Sequence, residues 1–427
     1  MRTASSTPNN QRSMDGAALA DRLRIPSWAR VATVMFGVGW GANQFSSLLL
    51  AYRLHRGVSD STADALFGVY ALGLIPALLV IGPISDQCGR RRIVRGAGVL
   101  SVVASLALIA GAHSIGMLYI GRFLAGACSG AAFAAGTAWI KELSVAPYDL
   151  LAGEQAAARR AAIGLSAGFG LGPLAAGLLA QWGPDPLLIA YLPHLAVMLV
   201  ALVTLVGAPE TVSSDVRRVS LTSLLRVPSA GHDRFRGIVA PAAPWVFAAP
   251  SIALAVLPGL VAHQTGSYQV AFAAVVAGLT LGLGILIQPW ARQLDRSGDV
   301  RGLLAGLVAV SAGTLLGAVA AQAESWPLVV PAAALLGCGY GLCIVSGLLE
   351  TQRLARSEDL ASLTAIYYAL SYIGFAAPII LAELERVAAA PLLLLLTGAL
   401  AAISAGQVLR ASARHPPRIG RRRQPTR

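Results

Sequence analysis

Residues 82–92, GPISDQCGRRR, hold one carboxylate and three arginines. This stretch stands between two long apolar segments in a chain of 427 residues that is 56% hydrophobic and only 12% charged. A soluble globular chain carries about 25% charged residues. The composition therefore excludes an ordinary soluble domain, and the charged stretch marks a turn between two membrane-spanning segments.

Apolar runs long enough to cross a bilayer recur along the chain. A helix needs about 20 residues to cross a hydrocarbon core of roughly 30 Å. Twelve such runs predict an all-α membrane protein with two pseudo-symmetric bundles of six transmembrane helices. The first six predicted helices cover residues 30–52, 64–85, 93–112, 115–140, 160–181 and 187–207. The second six cover residues 244–264, 267–290, 301–321, 326–349, 363–385 and 390–411.

The distribution of basic residues predicts the orientation. If the N-terminus is cytoplasmic, 29 of the 33 Lys and Arg residues fall in segments on the cytoplasmic side. Cytoplasmic loops of membrane proteins carry such an excess. We therefore expect a multi-pass protein of the plasma (inner) membrane with both termini in the cytoplasm. The scatter of these residues in short clusters argues against nucleic acid as a partner.

The same pattern divides the chain into five segments. A cytoplasmic tail (1–29) precedes the N-terminal bundle (30–207), a basic cytoplasmic linker (208–243) follows, and the C-terminal bundle (244–411) ends in a basic tail (412–427). The polar tail lacks the apolar core of a signal peptide, so the first span is expected to act as an uncleaved anchor. The linker fits either contact with anionic headgroups or a solvated tether.

Two internal matches predict that the bundles are repeats. Asp295 lies 209 positions after Asp86 in a similar local sequence, and Phe375 lies 206 positions after Phe169. Many transporters are built from such repeats, which leave weak similarity between their halves. Two matches at nearly one offset favour a six-plus-six duplication.

The opening stretch also has a physical interpretation. Gly82 allows the end of the second helix to approach another helix closely, and Gly89 permits a tight turn. A carboxylate such as Asp86 is attracted to the positive end of a neighbouring helix. Arg90 and Arg91 can stay at the headgroups or pair with an acid. A simple clamp of basic residues with a helix cap is the alternative, but it does not explain both glycines.

Gly82, Asp86, Gly89, Arg90 and Arg91 fit the pattern G-x-x-x-D-R-x-G-R-R, although Gln87 replaces the usual arginine. With this loop the chain resembles the major facilitator superfamily of secondary transporters, from about residue 30 to residue 410. In that family the loop latches the two halves together in the outward-facing state. The resemblance implies that Asp86 approaches residues 362–364, at the start of the eleventh helix, and that Arg90 pairs with Glu142.

Arg122 is the basic residue deepest inside a predicted span. An arginine near the bilayer centre costs a few kcal/mol, so it should face a cavity or a partner. With Gly126 four residues later, Arg122 resembles the second motif of the family's proton-coupled members. The alternative is that Arg122 reaches outward and bonds only backbone carbonyls.

The fifth predicted helix carries glycines at every fourth position. Gly168, Gly172, Pro173 and Gly177 form a small-residue face that favours close helix packing, and the proline favours a bend. With Ala176, this run resembles the G-P-x-x-A-G signature of the drug:proton antiporter branch, in which it marks exporters. Residues 209–211, Pro-Glu-Thr, also look like that branch.

Polar side chains inside apolar spans are the candidates for a substrate cavity, because an unpaired amide facing lipid is costly. The predicted cavity residues are Trp40, Asn43, Gln44, Arg122, Tyr340 and Tyr372. The candidates for proton coupling are Arg122, Asp86 and His194, since histidine titrates near neutral pH. A hydrogen-bonded structural role remains the alternative for His194.

The sequence therefore predicts a transporter and no enzyme, with no cofactor and no metal site. It contains no ATP-binding G-x-x-x-x-G-K-[ST] motif, so transport by an ATP-driven pump within this chain is not supported. We expect a monomer that exports small amphipathic or hydrophobic molecules in exchange for protons by alternating access. An importer or uniporter of a small polar or anionic solute is the alternative.

Overall fold

The computed structural model of the protein describes residues 25–150, 156–212, 227–295, 299–356 and 360–415. Over these ranges the chain forms helices, with no strand. The predicted N-terminal tail up to residue 24, linker residues 213–226 and the basic tail from residue 416 lie outside the described residues.

The described residues of the first half form six helices. A glycine with positive φ follows α1 (Gly57) and another separates α2 from α3 (Gly89), so the chain turns sharply at both places. Pro186 stands in the first turn of α6, where a missing N–H costs nothing. The helices are α1 (Ser27–Arg56), α2 (Asp60–Cys88), α3 (Arg90–Ala110), α4 (Ile115–Glu142), α5 (Ala156–Trp182) and α6 (Pro186–Leu205).

The second half repeats this arrangement. Its helices are α7 (Phe235–Leu260), α8 (Ala262–Leu294), α9 (Arg301–Gln322), α10 (Trp326–Leu354), α11 (360–384) and α12 (Ala390–Arg414). The start of α7 lies before the predicted start at residue 244, because Phe235, Ile238 and Val239 are buried in the core of this half. Four residues of α11, Ile373–Ala376, form a 3₁₀ turn.

Ten of the described helices are long and apolar enough to cross a membrane. The other two, α1 and α5, pack closely against each other. A side chain at Gly168 would place its Cβ 2.1 Å from the carbonyl oxygen of Phe36, and one at Gly172 would lie 2.6 Å from that of Trp40. The glycines of the fifth helix therefore serve close contact with α1, as their spacing predicts. The described residues thus form twelve helices, and the protein is a multi-pass membrane protein.

Four helices, α3, α6, α9 and α12, carry exposed aliphatic side chains spaced three or four residues apart. This spacing places them on one face of each helix, as expected for a surface in contact with lipid. The exposed residues include Val99, Val103 and Leu106 on α3, Leu199 and Val203 on α6, Leu315 and Val319 on α9, and Leu392, Leu396 and Leu400 on α12.

Both described ends of the chain lie at one end of the bundle, here called the termini face, together with the turn between α2 and α3. At the opposite face the two halves are joined. The Gln181 side chain on α5 donates to the Ser267 carbonyl at 2.7 Å and accepts from the Ala271 N–H at 3.0 Å. Gly68 on α2 packs against Ile379 on α11.

Candidate functional site

The turn between α2 and α3 requires a glycine at one position. Gly89 has φ 95°, which disfavours other residues, and an added Cβ would lie 2.7 Å from Oε2 of Glu210.

The close helix approach predicted at Gly82 is not found in the structure. An added Cβ there would meet the Ala134 Cβ at 3.7 Å, an ordinary contact distance, so no close helix approach depends on Gly82. The close α2–α4 contacts occur deeper, at Gly126 and Gly130.

Arg90 is the centre of the charged groups at this turn. Its guanidinium pairs with Glu142 at the end of α4, at 2.9 Å, and with Asp86 at 2.5 Å. The same group donates to the Ser85 hydroxyl at 2.5 Å. The Arg90 side chain is only 10% exposed, so its charge is neutralised within the fold. Arg91 instead donates to the carbonyl oxygen of Val206, at the end of α6.

Asp86 does not make the contact that the family resemblance implies. Its side chain is 55% exposed. Among the described residues it pairs with Arg90 and makes no hydrogen bond to Ser362 or Thr364. The carboxylate is therefore available to a partner at this face, while the contacts between the halves described above lie at the opposite face.

Glu210 was not among the residues predicted for this site. One carboxylate oxygen accepts the N–H of Arg90 at 3.0 Å and the other accepts that of Arg91 at 2.9 Å, so Glu210 caps the N-terminus of α3. The N–H groups of Thr211 and Val212 also bond to Oε1. Burial alone would raise the pKa of Glu210, but these four backbone donors lower it below its ordinary value.

A signal for this role was present in the sequence. Pro209-Glu210-Thr211 directly follows α6 and places an acid beside a basic turn, but only the tertiary fold shows which helix it caps. The neighbouring residues hold the segment in place. The Thr211 hydroxyl donates to Glu142, and the Trp139 indole donates to the Pro209 carbonyl at 3.1 Å. The group formed by Asp86, Arg90, Glu142 and Glu210 is called the first-half cluster below.

The second half carries a related group at the same face, formed by Arg234, Asp295, Glu350 and Arg353 and called the second-half cluster. Glu350 lies 208 positions after Glu142 and pairs with Arg234 at 2.7 Å. Arg234 also donates to the His415 carbonyl, and Arg353 donates to that of Asp295. An oxygen of Asp295 accepts the Gly302 N–H at 2.9 Å and so caps α9.

Arg122 is buried in α4 and bonds to backbone. Its Nε donates to the Leu66 carbonyl at 3.0 Å and its Nη1 to that of Ala42 at 3.2 Å. The guanidinium also lies 4.8 Å from the ring centres of both Phe45 and Tyr70. Aromatic faces and carbonyl oxygens stabilise a cation. None of the described carboxylates forms an ion pair with Arg122, so these groups take the place of an acidic partner.

His194 belongs to a buried hydrogen-bond network inside the first half. Its Nδ1 bonds to the Ser105 hydroxyl at 2.8 Å and its Nε2 to that of Ser101 at 3.2 Å. The Gln44 amide donates to Ser105 at 3.0 Å. These residues join α1, α3 and α6. The arrangement corresponds to the structural alternative for His194 and places it away from the interface between the halves.

A small central cavity lies between the halves. Its volume is about 30 Å³, room for about one water molecule. Among the predicted cavity residues, Asn43, Tyr340 and Tyr372 lie on its wall. Most of the wall is aromatic, and both halves contribute to it. The lining comprises Asn43, Phe67, Tyr70, Phe169, Phe247, Pro250, Ser251, Leu254, Leu281, Tyr340, Tyr372 and Phe375.

Three predicted cavity residues lie elsewhere. Gln44 points to α3, and Arg122 lies behind the ring of Tyr70, which separates it from the cavity. Trp40 is mostly buried in edge contact with Phe36, on the helix that packs against the glycines of α5. Phe67, Tyr70 and Phe247 also line the cavity but were not predicted, because aromatic residues in apolar spans are ordinary core residues.

Phe247 is part of a stack of rings in the aromatic wall. Its ring stacks on Tyr372 at 4.4 Å between ring centres, with 8° between the ring planes, and on Phe375 at 5.0 Å. Phe375 meets Tyr70 of the first half edge to face at 5.8 Å. Phe169 and Phe375, which the duplication relates, both line the cavity. The described residues contain no cluster of His, Cys, Asp and Glu that could hold a metal ion.

Known transporters have the same fold. A POT family transporter crystallised with 5-aminolevulinic acid superposes with a TM-score of 0.73 at 12% identity, covering 91% of this chain and 96% of that one. The nucleoside transporter NupG gives a TM-score of 0.71 at 11% identity, covering 90% and 98%. At such low identity these matches show the shared fold alone.

The multidrug resistance protein MdtL of Klebsiella pneumoniae (strain 342) is 39% identical over 82 residues, which are 18% of this chain and 21% of that protein. The chain thus matches about a fifth of the length of this curated relative. The family model of the Major Facilitator Superfamily matches residues 30–376, most of the chain. Together with the twelve-helix fold, this match shows that the chain belongs to the Major Facilitator Superfamily and is a membrane transporter.

Proposed function

We propose that this transporter exports small amphipathic or hydrophobic compounds in exchange for protons, by alternating access of a central site. The observation that carries the proposal is the aromatic wall of the central cavity, to which both halves contribute. A site between two halves can be exposed to either side of the membrane in turn. Flat apolar rings favour a substrate with an apolar or aromatic part.

The cavity wall also carries polar groups, which suit the polar part of an amphipathic substrate. Asn43, Ser251 and the hydroxyls of Tyr340 and Tyr372 can hydrogen-bond to a substrate, and the described lining contains no carboxylate. Because the cavity holds about 30 Å³, a substrate must separate the stacked rings to enter. Phe247, whose ring contacts those of Tyr340, Tyr372 and Phe375, is one of the residues that must move.

We propose that the first-half cluster is the gate latch of this cycle. The Arg90–Glu142 ion pair and the Glu210 cap fix the turn with Gly82, Gly89 and Arg91 at its ends, while Asp86 stays exposed. When the halves close at the termini face, Asp86 would dock against the start of α11, where helix N–H groups attract a carboxylate. With both termini cytoplasmic in the plasma (inner) membrane, as the basic residues predict, that closed state faces outward.

Among the three candidates for proton exchange, Arg122 and Asp86 are retained, because the hydrogen bonds of His194 to Ser101 and Ser105 give it a structural role. A guanidinium does not release its proton in proteins. Arg122 would therefore act through its charge, which lies next to the cavity residue Tyr70 at 4.8 Å. The G-P-x-x-A-G run of α5 and the partial match to MdtL support export.

A second candidate is an importer or uniporter of a small polar or anionic solute. Asn43 on the cavity wall favours a hydrogen-bonding solute. Arg122 favours an anion, because rotation of Tyr70 would expose its unneutralised charge to the cavity.

The test uses the purified full chain in liposomes that enclose a pH-sensitive dye. Under an imposed proton gradient, cationic, neutral and anionic aromatic compounds are added in turn. Proton release that requires a compound, and that Phe247→Ala and Arg122→Ala each reduce about tenfold or more, supports the proposal. Phe123→Ala is the matched control, because Phe123 is an exposed aromatic residue of α4.

Two results would overturn parts of this function. Downhill uptake of a compound without proton movement would establish the uniporter alternative. Equal activity of Phe247→Ala and the wild type would place the substrate outside the aromatic cavity. The wild type and each variant must be reconstituted with equal amounts of folded protein. Size-exclusion chromatography measures these amounts before reconstitution.

A further inference from the structure

The four arginines at the start of α3 divide into two pairs with different environments. Arg90 and Arg91 are used inside the protein, in the first-half cluster and at the end of α6. Arg92 and Arg95 are exposed, and neither pairs with any described residue. They lie three residues apart, so they share one face of the helix.

That face is a groove. Arg92 and Arg95 stand at its charged end, and Gly96, Val99, Leu100 and Val103 continue it along the helix. Val99 and Val103 are 48% and 44% exposed, as expected for a surface in contact with lipid chains. Gly96 forms a notch, because an added Cβ there would meet nothing within 4 Å.

We propose that this groove binds one phospholipid with a net negative headgroup. The phosphate would accept from the two guanidiniums, and an acyl chain would lie along Gly96, Val99 and Val103. The charged and apolar parts of the groove follow one another in the same order as the headgroup and acyl chain of such a lipid. Its two cations lie at the headgroup end of a membrane-spanning helix, and its apolar surface extends toward the membrane interior. Arginine suits the partner, because its planar fork pairs well with phosphate.

The proposed lipid site lies next to the first-half cluster, the proposed gate latch. Arg92 lies two residues after Arg90, in the first turn of α3, whose N-terminus Glu210 caps. A lipid held at Arg92 and Arg95 would therefore hold the same helix end that carries the Arg90–Glu142 ion pair.

The experiment titrates the purified full chain in detergent with phosphatidylglycerol or phosphatidylcholine, and native mass spectrometry counts the bound lipids. We expect one phosphatidylglycerol to bind more tightly than phosphatidylcholine. Removing both charges in Arg92→Gln/Arg95→Gln should weaken that binding about 30-fold, at roughly fivefold per arginine. The control is Arg410→Gln/Arg414→Gln, which removes two exposed arginines of α12 at the same face.

A second variant tests the groove without changing charge. Gly96→Leu fills the notch, and the open space around Gly96 lets the fold accept the new side chain. It should weaken binding of phosphatidylglycerol while the elution profile and thermal unfolding stay those of the wild type.

Three results would overturn the proposal. Equal binding of the two lipids would mean that headgroup charge is not recognised. Equal losses in the α3 and α12 double variants would show a general attraction to basic residues instead of a local site. Unchanged binding in both Gly96→Leu and Arg92→Gln/Arg95→Gln would place the lipid elsewhere.

Discussion

Asp86 and Asp295 occupy related positions in the two halves but have opposite environments. The Asp86 side chain is 55% exposed, whereas Asp295 is only 2% exposed. Asp295 is buried because it caps the N-terminus of α9 through the N–H of Gly302. In the first half, Glu210 caps the corresponding helix α3. In the first half a carboxylate from another loop is the cap, and Asp86 instead forms an exposed ion pair with Arg90, a contact that can change.

Glu142 and Glu350, which also occupy related positions, differ in exposure in the same direction as the two aspartates. Glu142 is 34% exposed in its pair with Arg90, whereas Glu350 is 4% exposed in its pair with Arg234, which is 7% exposed. Exposed ion pairs contribute about 0–1 kcal/mol, but breaking a buried one leaves an uncompensated charge. The ion pair of the second-half cluster is therefore expected to contribute more to stability than that of the first-half cluster.

The largest expected effect is on the buried pair. Glu350→Ala should lower the free energy of unfolding by about 3–5 kcal/mol, because Arg234 is left buried without its acid. Thermal unfolding in detergent measures the loss. Glu383→Ala, which breaks the exposed pair with Arg386, is the control and should change stability by less than about 1 kcal/mol. Equal losses in both variants would remove the distinction between buried and exposed pairs.

The next effect is on transport. Asp86→Asn should leave unfolding unchanged, since the side chain is exposed, but lower the transport rate about tenfold, equivalent to about 1.4 kcal/mol. The loss is expected because the neutral amide docks more weakly at the start of α11. Initial rates in liposomes measure it, with Asp295→Asn as the repeat-related control. A wild-type rate in Asp86→Asn would disprove the latch assignment.

A smaller effect is expected for the cap of α3. Glu210→Ala should lower the free energy of unfolding by about 1 kcal/mol at neutral pH, the usual loss for an N-terminal cap. Because the pKa of Glu210 is lowered in the folded state, its contribution is present above the unfolded pKa and is lost as the pH falls through the folded pKa. The difference between variant and wild type should therefore shrink on acidification. A constant difference would show that the Glu210 charge is not involved.

The smallest effect is expected for the buried aspartate. Burial raises the pKa of Asp295 in the folded state, so its stability contribution falls as the pH rises from the unfolded pKa through the folded one. Asn can still accept the Gly302 N–H, so Asp295→Asn should stay within about 0.5 kcal/mol of wild type and gain relative to it as the pH rises. Unfolding temperatures across the acid range measure this trend. A relative loss with rising pH would mean that Asp295 is stabilised as an anion.

The candidate site could be predicted only in part. The charged turn could be predicted because charge in an apolar chain gathers at helix ends, and the resemblance of this turn to the family's loop implied the pairing of Arg90 with Glu142. The cap by Glu210 depends on which helix end lies beside the loop after α6. The aromatic wall was missed because Phe67 and Phe247 look like core residues until the packing of the two halves leaves a space beside them.

The twelve spans, the repeat and the placement of charge at helix ends could be predicted from the amino-acid sequence, because the cost of burying polar groups in lipid acts on every segment separately. The direction in which each side chain points depends on how the helices pack against one another. Asn43 and Gln44 are adjacent in α1, yet Asn43 lines the cavity and Gln44 bonds to Ser105 in α3. Neighbouring residues on a helix point about 100° apart. The rotation of α1 is fixed by its contact with the glycines of α5, which no reading of α1 alone could supply.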